Sequence, residues 1–307
     1  MKPKILFIVL FISINTNAEF LGPMPSKIAW CVQFLKKITK NVVNTRPFKN
    51  RILLYGPPGN GKTTLAKKIA EDAEAILLTV AGPAIVQRFI GDGAANIKNL
   101  FEDATKMVVE KKRPVIIFID EIDAIATYNT TEQRSEHHAA LQQLWLELDE
   151  IKYNPNILFI CATNRFEQLN NTFLDRFGGN VIEFKNPNAE LRSALLTHYF
   201  KQCGLYLDER SLKKLVKKTD GLSARALEDL ACEVFMAHDI RDIQTINESL
   251  VWQELAVIRN KVDHNVSGQP SRNFFDLLQK VNMVTTTIQS ILSIASMTYA
   301  FHKIGLS

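Results

Sequence analysis

Apolar residues fall into two regimes along the chain. Between Arg51 and Phe184, short continuous apolar runs alternate with helix-length stretches: ILLY at 52–55, AILLTV at 75–80, VIIFI at 115–119, NILFICAT at 156–163 and VIEF at 181–184. A continuous run of that length suits a strand covered on both faces, and the long separations let neighbouring strands lie parallel. The pattern predicts an α/β fold, a mainly parallel sheet with helices on both sides. Beyond Pro187 the strand signal stops. Residues 189–202, 208–218 and 223–238 read as helices, with Gly221 at the start of the last and Ser223 as its candidate N-cap. Upstream, SKIAWCVQFLKKITK at 26–40 spaces apolar groups three and four apart and predicts an amphipathic helix. Asn44–Asn50, with Pro47, reads as a linker.

The two ends differ from this body. Lys2 and Lys4 precede the apolar stretch Ile5–Ile14, and Thr16-Asn17-Ala18 ends it in small residues. That fits a secretory signal better than a spanning helix, which needs about 20 apolar residues. A buried N-terminal helix or a short membrane-associated anchor stays open as the other reading. The segment 281–301 carries no charge and puts Ile288, Ile291, Leu292 and Ala295 on one helical face. We read it as an amphipathic helix packed on the domain or on a partner, because Asn282 and Gln289 would be costly in lipid. Residues 252–280 hold no interpretable motif. The expected organisation is a signal or anchor at 1–18, a helix and linker at 19–47, a large α/β domain at 48–187, a small helical lid at 188–250 and a helical tail of unknown role at 251–307.

Composition narrows the function. With 307 residues, 46% hydrophobic and 22% charged, the chain can bury a full core and is not broadly disordered. The formal charge of +5 is spread in small groups; Lys213-Lys214 and Lys217-Lys218 repeat at helical spacing and read as a solvated face. No basic run carries the interleaved aromatics of a nucleic-acid footprint, so no nucleic-acid partner is expected. Cys31, Cys161, Cys203 and Cys232 lie too far apart for a zinc pattern, and Cys161, inside an apolar run, is expected as a buried thiol. No His-Glu-x-x-His is present, and His137-His138 reads as a surface pair.

The chemistry lies in two motifs. GPPGNGKT at 56–63 matches G-x-x-x-x-G-K-[ST] completely and sits directly after one predicted strand and before a predicted helix at 62–72. In such a loop Gly56, Pro57, Pro58, Gly59, Asn60, Gly61 and Lys62, with Thr63 and Thr64, wrap a phosphate, and the backbone N–H groups of the non-proline residues converge on it. The Lys62 ammonium reaches the outer phosphates and the Thr63 hydroxyl ligates Mg²⁺. VIIFIDEIDAI at 115–125 supplies the metal-side acid: Asp120 ends an apolar strand, and Glu121 follows it, placed to polarise an attacking water.

GPPGNGKT followed by IIFIDEID and CATN resembles the AAA group of AAA+ ATPases over about residues 48–240. The resemblance implies a sheet of order 5-1-4-3-2, a helical lid, ATP and Mg²⁺ as cofactors, and a ring, usually hexameric, with ATP between subunits. It places Asn164 at the position that orients water near the γ-phosphate. QRFIGDG at 87–93 is similar to the loop that lines the ring channel, with Phe89, Ile90 and Gly91 as its aromatic-hydrophobic-Gly triplet. FLDRFGG at 173–179 aligns with the region of trans-acting arginines, where many relatives carry two; Asp175 precedes Arg176 here, so only Arg176 remains. GLSARAL at 221–227 puts Arg225 where some relatives carry a second sensor arginine. EHHAALQQLWLELDEI at 136–151 resembles a helix of membrane-bound AAA proteases, whose protease half has no counterpart in this sequence.

These residues imply an ATP hydrolase that remodels proteins in chaperone-like fashion, threading an unidentified protein substrate past Phe89. A low-turnover, ATP-dependent switch or scaffold, docking a partner through the N-terminal helix or the tail, is the alternative. The signal-like N-terminus points to export or membrane association, whereas the ATPase needs a compartment that contains ATP.

Overall fold

The structure, a computed structural model, describes residues 22, 24–39, 50–86, 93–127, 134–240 and 251–259. In chain order the elements are α1 (Ser26–Thr39), β1 (Arg51–Tyr55), α2 (Lys62–Asp72), β2 (Ile76–Ala81), α3 (Gly82–Val86), α4 (Gly93–Lys111), β3 (Val115–Asp120), α5 (Asp123–Ala126), α6 (Arg134–Glu150), β4 (Ile157–Thr163), α7 (Asn171–Leu174), β5 (Val181–Glu183), α8 (Ala189–Gln202), α9 (Glu209–Lys218) and α10 (Ala224–Ile240). Among the described residues the five strands form one parallel sheet of order β2-β3-β4-β1-β5.

The continuous apolar runs are explained by two cores, one on each face. Leu53, Ile117, Ile119, Phe159 and Cys161 point to one side, where α4 and α6 cover them with Ile97, Phe101, Leu144 and Leu148. Their chain neighbours Ile52, Leu54, Ile116, Phe118, Leu158 and Ile160 point to the other, under Ile28, Leu35, Leu65 and Ile69 of α1 and α2. Successive strand residues face opposite ways, so a strand covered twice must be apolar at every position. Each fully buried Leu, Ile or Phe contributes roughly 1.5–3 kcal/mol. Cys161 is a buried free thiol, as expected, and burial pushes its ionisation well up.

The expected linker ends sooner than its sequence suggests. Asn50 is buried, and its amide Nδ2 donates to the carbonyls of Ile151 at 2.6 Å, Ile157 at 3.0 Å and Asn154 at 3.1 Å. It anchors the start of β1 to the turn before β4. A polar residue three positions after Pro47 reads as loop in sequence; the three carbonyls it meets are what make it structural.

After β5, α8 and α9 begin at side-chain caps from Asn188 and Asp208, and the Ser223 hydroxyl accepts from the Ala226 N–H at 3.3 Å at the start of α10. Buried Arg192 of α8 donates to the carbonyls of Pro187 and Val216 and pairs with Asp220, which ties α8 to the far end of α9. Lys213, Lys214, Lys217 and Lys218 are exposed on α9. The described residues divide into two compact units between Ala231 and Cys232, inside the stretch expected as lid. The second unit includes the helical stretch 251–259, at the start of the segment expected as a helical tail. The signal-like 1–18, the triplet Phe89-Ile90-Gly91 and the tail 281–301 lie outside the described residues. Among the described residues no helix is long and apolar enough to cross a membrane.

Candidate functional site

Parallel strands in register bring their carboxyl ends to one edge of the sheet, and three chemical segments leave from that edge. Tyr55 pairs with Thr163 and Ile119 with Cys161, so the loop after β1, Asn164 after β4 and the Asp120-Glu121 pair after β3 emerge side by side. This is where open α/β sheets bind ligands.

The loop 56–61 needs its glycines. Gly56 has φ +136°, and a Cβ there would overlap the Phe184 carbonyl. Gly61, at φ +85°, turns the chain into α2 without any side-chain cap. Among the described residues nothing accepts a hydrogen bond from the backbone N–H groups of Asn60, Gly61, Lys62 and Thr63. Four unpaired donors at the positive end of a helix form an anion cradle. Lys62 is buried, and its Nζ donates to the carbonyls of Gly56 at 2.7 Å and Pro57 at 2.9 Å. Burial lowers its pKa from 10.5 to about 8, against the opposing pull of Asp120. The cation is thus held where a bound anion would restore its charge.

The Thr63 hydroxyl donates to Asp120 Oδ2 at 2.7 Å, which joins the cradle to the end of β3. Asp120 Oδ1 accepts from the Glu121 N–H at 3.0 Å. Glu121 adopts φ +53°, a left-handed conformation that non-glycine residues seldom hold, and it is exposed. Gly82, buried at the start of α3, makes room for that turn, since a Cβ there would overlap the Glu121 carbonyl. Thr63 and Asp120 are hard oxygen donors of the kind Mg²⁺ takes alongside phosphate oxygens. The residues present therefore fit a magnesium nucleotide.

Residues that the sequence reading passed over hold this geometry in place. The Thr163 hydroxyl donates to Asp123 Oδ1 at 2.7 Å and accepts from the Arg165 N–H at 2.9 Å. The Ile122 N–H donates to the Ala162 carbonyl at 2.9 Å. Together these bonds lock the turn carrying Glu121 to the turn carrying Asn164. Asn164 itself is exposed, and among the described residues its amide has no hydrogen-bond partner. Asp123, the third acid of DEID, was visible in the sequence; only the pairing of β3 with β4 reveals its partner.

Arg225 and Arg176 have other surroundings. The Arg225 N–H donates to the Gly59 carbonyl at 3.0 Å, so its backbone docks on the loop while the residue is exposed. Arg176 Nη1 donates to the Thr172 carbonyl at 2.8 Å, Nη2 lies 3.4 Å from Asp149 Oδ2, and the guanidinium carbon sits 4.8 Å above the Trp145 ring. Asp149 also meets Arg51 at 3.4 Å. None of the described contacts joins Arg176 to its own phosphate loop.

Comparison with known proteins agrees with this geometry. Residues 52–184 match the family described as "ATPase family associated with various cellular activities (AAA)". The chain is 37% identical over 198 residues to proteasome-activating nucleotidase 2 of Halobacterium salinarum, covering 62% of this chain and 46% of that protein. It is 35% identical over 209 residues to the ATP-dependent zinc metalloprotease FtsH 2 of a Thermoanaerobacter species, covering 65% of this chain and 39% of that one. The chain thus spans less than half the length of these two relatives. Among solved structures, the AAA domain of FIGL-1 in complex with ADP superposes with a TM-score of 0.63 at 21% identity, over 80% of this chain and 87% of that one, a likeness of fold. Strand order, phosphate cradle and family match agree that residues 52–184 form a domain of the AAA family of ATPases.

Proposed function

We propose that the chain binds magnesium-ATP in the 56–63 loop, hydrolyses it, and works as a ring-forming remodeller of protein substrates. The observation that carries the hydrolytic part is the 2.7 Å bridge from Thr63 to Asp120, with Glu121 next in sequence. It supports reading Thr63 and Asp120 as a metal-binding pair beside the anion cradle, with Glu121 as the general base next to them.

Bound magnesium-ATP supplies the phosphorus under attack and the ADP leaving group. The loop N–H groups and Lys62 hold the phosphates and offset their charge. Thr63 and Asp120 hold the metal. Glu121, exposed and anchored through its own N–H, accepts the proton of the attacking water at a carboxylate oxygen. Asn164, with its amide unengaged, orients that water. Arg176 acts on the site of a neighbouring subunit, where an arginine stabilises the charge of the transferring phosphoryl. The ring is a homo-oligomer, usually six subunits in the family, and Phe89, Ile90 and Gly91 grip the substrate in its channel. The two relatives named for proteasome activation and for proteolysis support a protein substrate.

One observation favours the second reading, a low-turnover switch that docks a partner through α1 or the tail. Arg176 is already engaged within its own subunit by Thr172, Asp149 and Trp145. Steady-state turnover and oligomer size of the purified full chain separate the two. Wild type should hydrolyse ATP as an oligomer, and Glu121→Gln should retain ATP unhydrolysed and stabilise that oligomer. Phe89→Ala should abolish remodelling of a substrate protein. Slow hydrolysis that Glu121→Gln does not reduce would sink the hydrolytic assignment, and remodelling that survives Phe89→Ala would sink the threading.

A further inference from the structure

Asn60 sits at the heart of the phosphate loop, yet its side chain turns away from the cradle. Its Oδ1 accepts from the Ala224 N–H at 3.1 Å, and its Nδ2 donates to Asn186 Oδ1 at 2.8 Å. Asn186, in the connection between β5 and α8, donates its own Nδ2 to the Gly221 carbonyl at 2.8 Å. The relay leaves the 221–224 turn at one end and returns to it at the other.

The backbone fixes the direction of both amides. The Gly221 carbonyl can only accept, so Asn186 must present its NH₂ there and its oxygen to Asn60. Asn60 must then present its NH₂ to Asn186, which leaves its oxygen for the Ala224 N–H. Each amide has a unique orientation, and an ionised carboxylate, which only accepts, could not serve both directions in its place. A fourth bond runs beside the relay, from the Arg225 N–H to the Gly59 carbonyl at 3.0 Å. Asn60 is only 9% exposed, so a missing partner would leave a polar group without water.

We propose that Asn186 is a positioning residue: through Asn60 it registers the 221–224 turn and the first turn of α10 on the phosphate loop, so that nucleotide occupancy and the order of that turn form one coupled equilibrium. The coupling to nucleotide rests on the ATP reading of the loop, whereas the relay itself exists without it. By reciprocity, whatever steadies the loop steadies the turn, and the converse.

The test is amide hydrogen exchange of residues 221–227 in the full chain, without ligand and with saturating ADP, for wild type, Asn186→Ala, Asn60→Ala and the double variant. Asn186 is exposed and meets the loop through the Asn60 side-chain amide alone, so its replacement leaves the backbone donors of the cradle in place. Without ligand, each single variant should exchange roughly fivefold or more faster over 221–227, the double variant no faster than the singles. ADP should slow exchange there in wild type and lose that effect in Asn186→Ala, while still binding within a few-fold of the wild-type affinity. Unchanged exchange in Asn186→Ala, or additive effects in the double variant, would overturn the relay. ADP that binds wild type without protecting 221–227 would overturn the coupling. ADP that fails to bind wild type would instead overturn the ATP reading, and the unliganded comparison would still decide the relay.

Discussion

Lys62 should take up a proton when nucleotide binds. Its pKa in the free protein is about 8, against 10.5 for an ordinary lysine, because burial disfavours the ammonium. That difference is about 3 kcal/mol of disfavoured charge. A phosphate placed on the cradle supplies the missing counter-charge and returns the pKa towards its ordinary value. At pH 8 about half the sites are neutral, so binding should draw in about half a proton, rising to about 0.9 at pH 9 and falling to about 0.1 at pH 7. The nucleotide does not confuse the reading, because secondary phosphate ionisation, near a pKa of about 6, is complete above pH 8. Calorimetric titration of ADP in buffers of different ionisation enthalpy measures the uptake directly, and the association constant should weaken with pH by the matching slope. Lys62→Arg carries a permanent charge and should abolish the uptake wherever it still binds. Buffer-independent binding heats at pH 8 and 9 in wild type would refute the reasoning. The same shift acts on folding. With the folded pKa lowered, the unfolded chain binds more protons between pH 8 and 10.5, so this group's contribution to stability rises with pH across that window.

Two further outcomes follow from bonds outside the cradle. Thr163→Val keeps the volume but removes both the donor to Asp123 and the acceptor for Arg165, so kcat should fall roughly tenfold with KM little changed; steady-state kinetics showing an unchanged kcat would refute the positioning role. Asn50→Ala strips the amide from the carbonyls of Ile151, Asn154 and Ile157 and should cost about 1–3 kcal/mol. Thermal unfolding reads this as a lowered midpoint, and an unshifted one would show that water replaces the amide.

The sheet was legible in sequence because its signal is local and redundant. A strand buried on both faces must be apolar at every position, and five such runs separated by helix-length segments leave few topologies. The phosphate loop was legible for a related reason: its glycines and Lys62 lie within eight consecutive residues, so the cradle and its spacing are written together. Asp120 and Glu121 could be found because a carboxylate pair ending an apolar strand departs from the local pattern.

What the sequence could not show depends on partners far along the chain. Asn60 belongs to the loop motif and was assigned to the nucleotide, but its amide engages Asn186 and Ala224, 126 and 164 residues away. Thr163 and Asp123 become a pair only because β3 lies beside β4. Asn50 looks like linker until the carbonyls before β4 close around it. Arg176 is marked by its motif, yet only folding sets it against Trp145 and Asp149. Residue type and spacing alone determined the parallel sheet, the anion cradle and the acids beside it, since each follows from covering a surface or meeting a charge within a short segment. The tertiary structure decided which side chains hold those parts in register, because a polar side chain's hydrogen-bond partner is chosen by proximity in space, and nothing in its own neighbourhood of sequence records that choice.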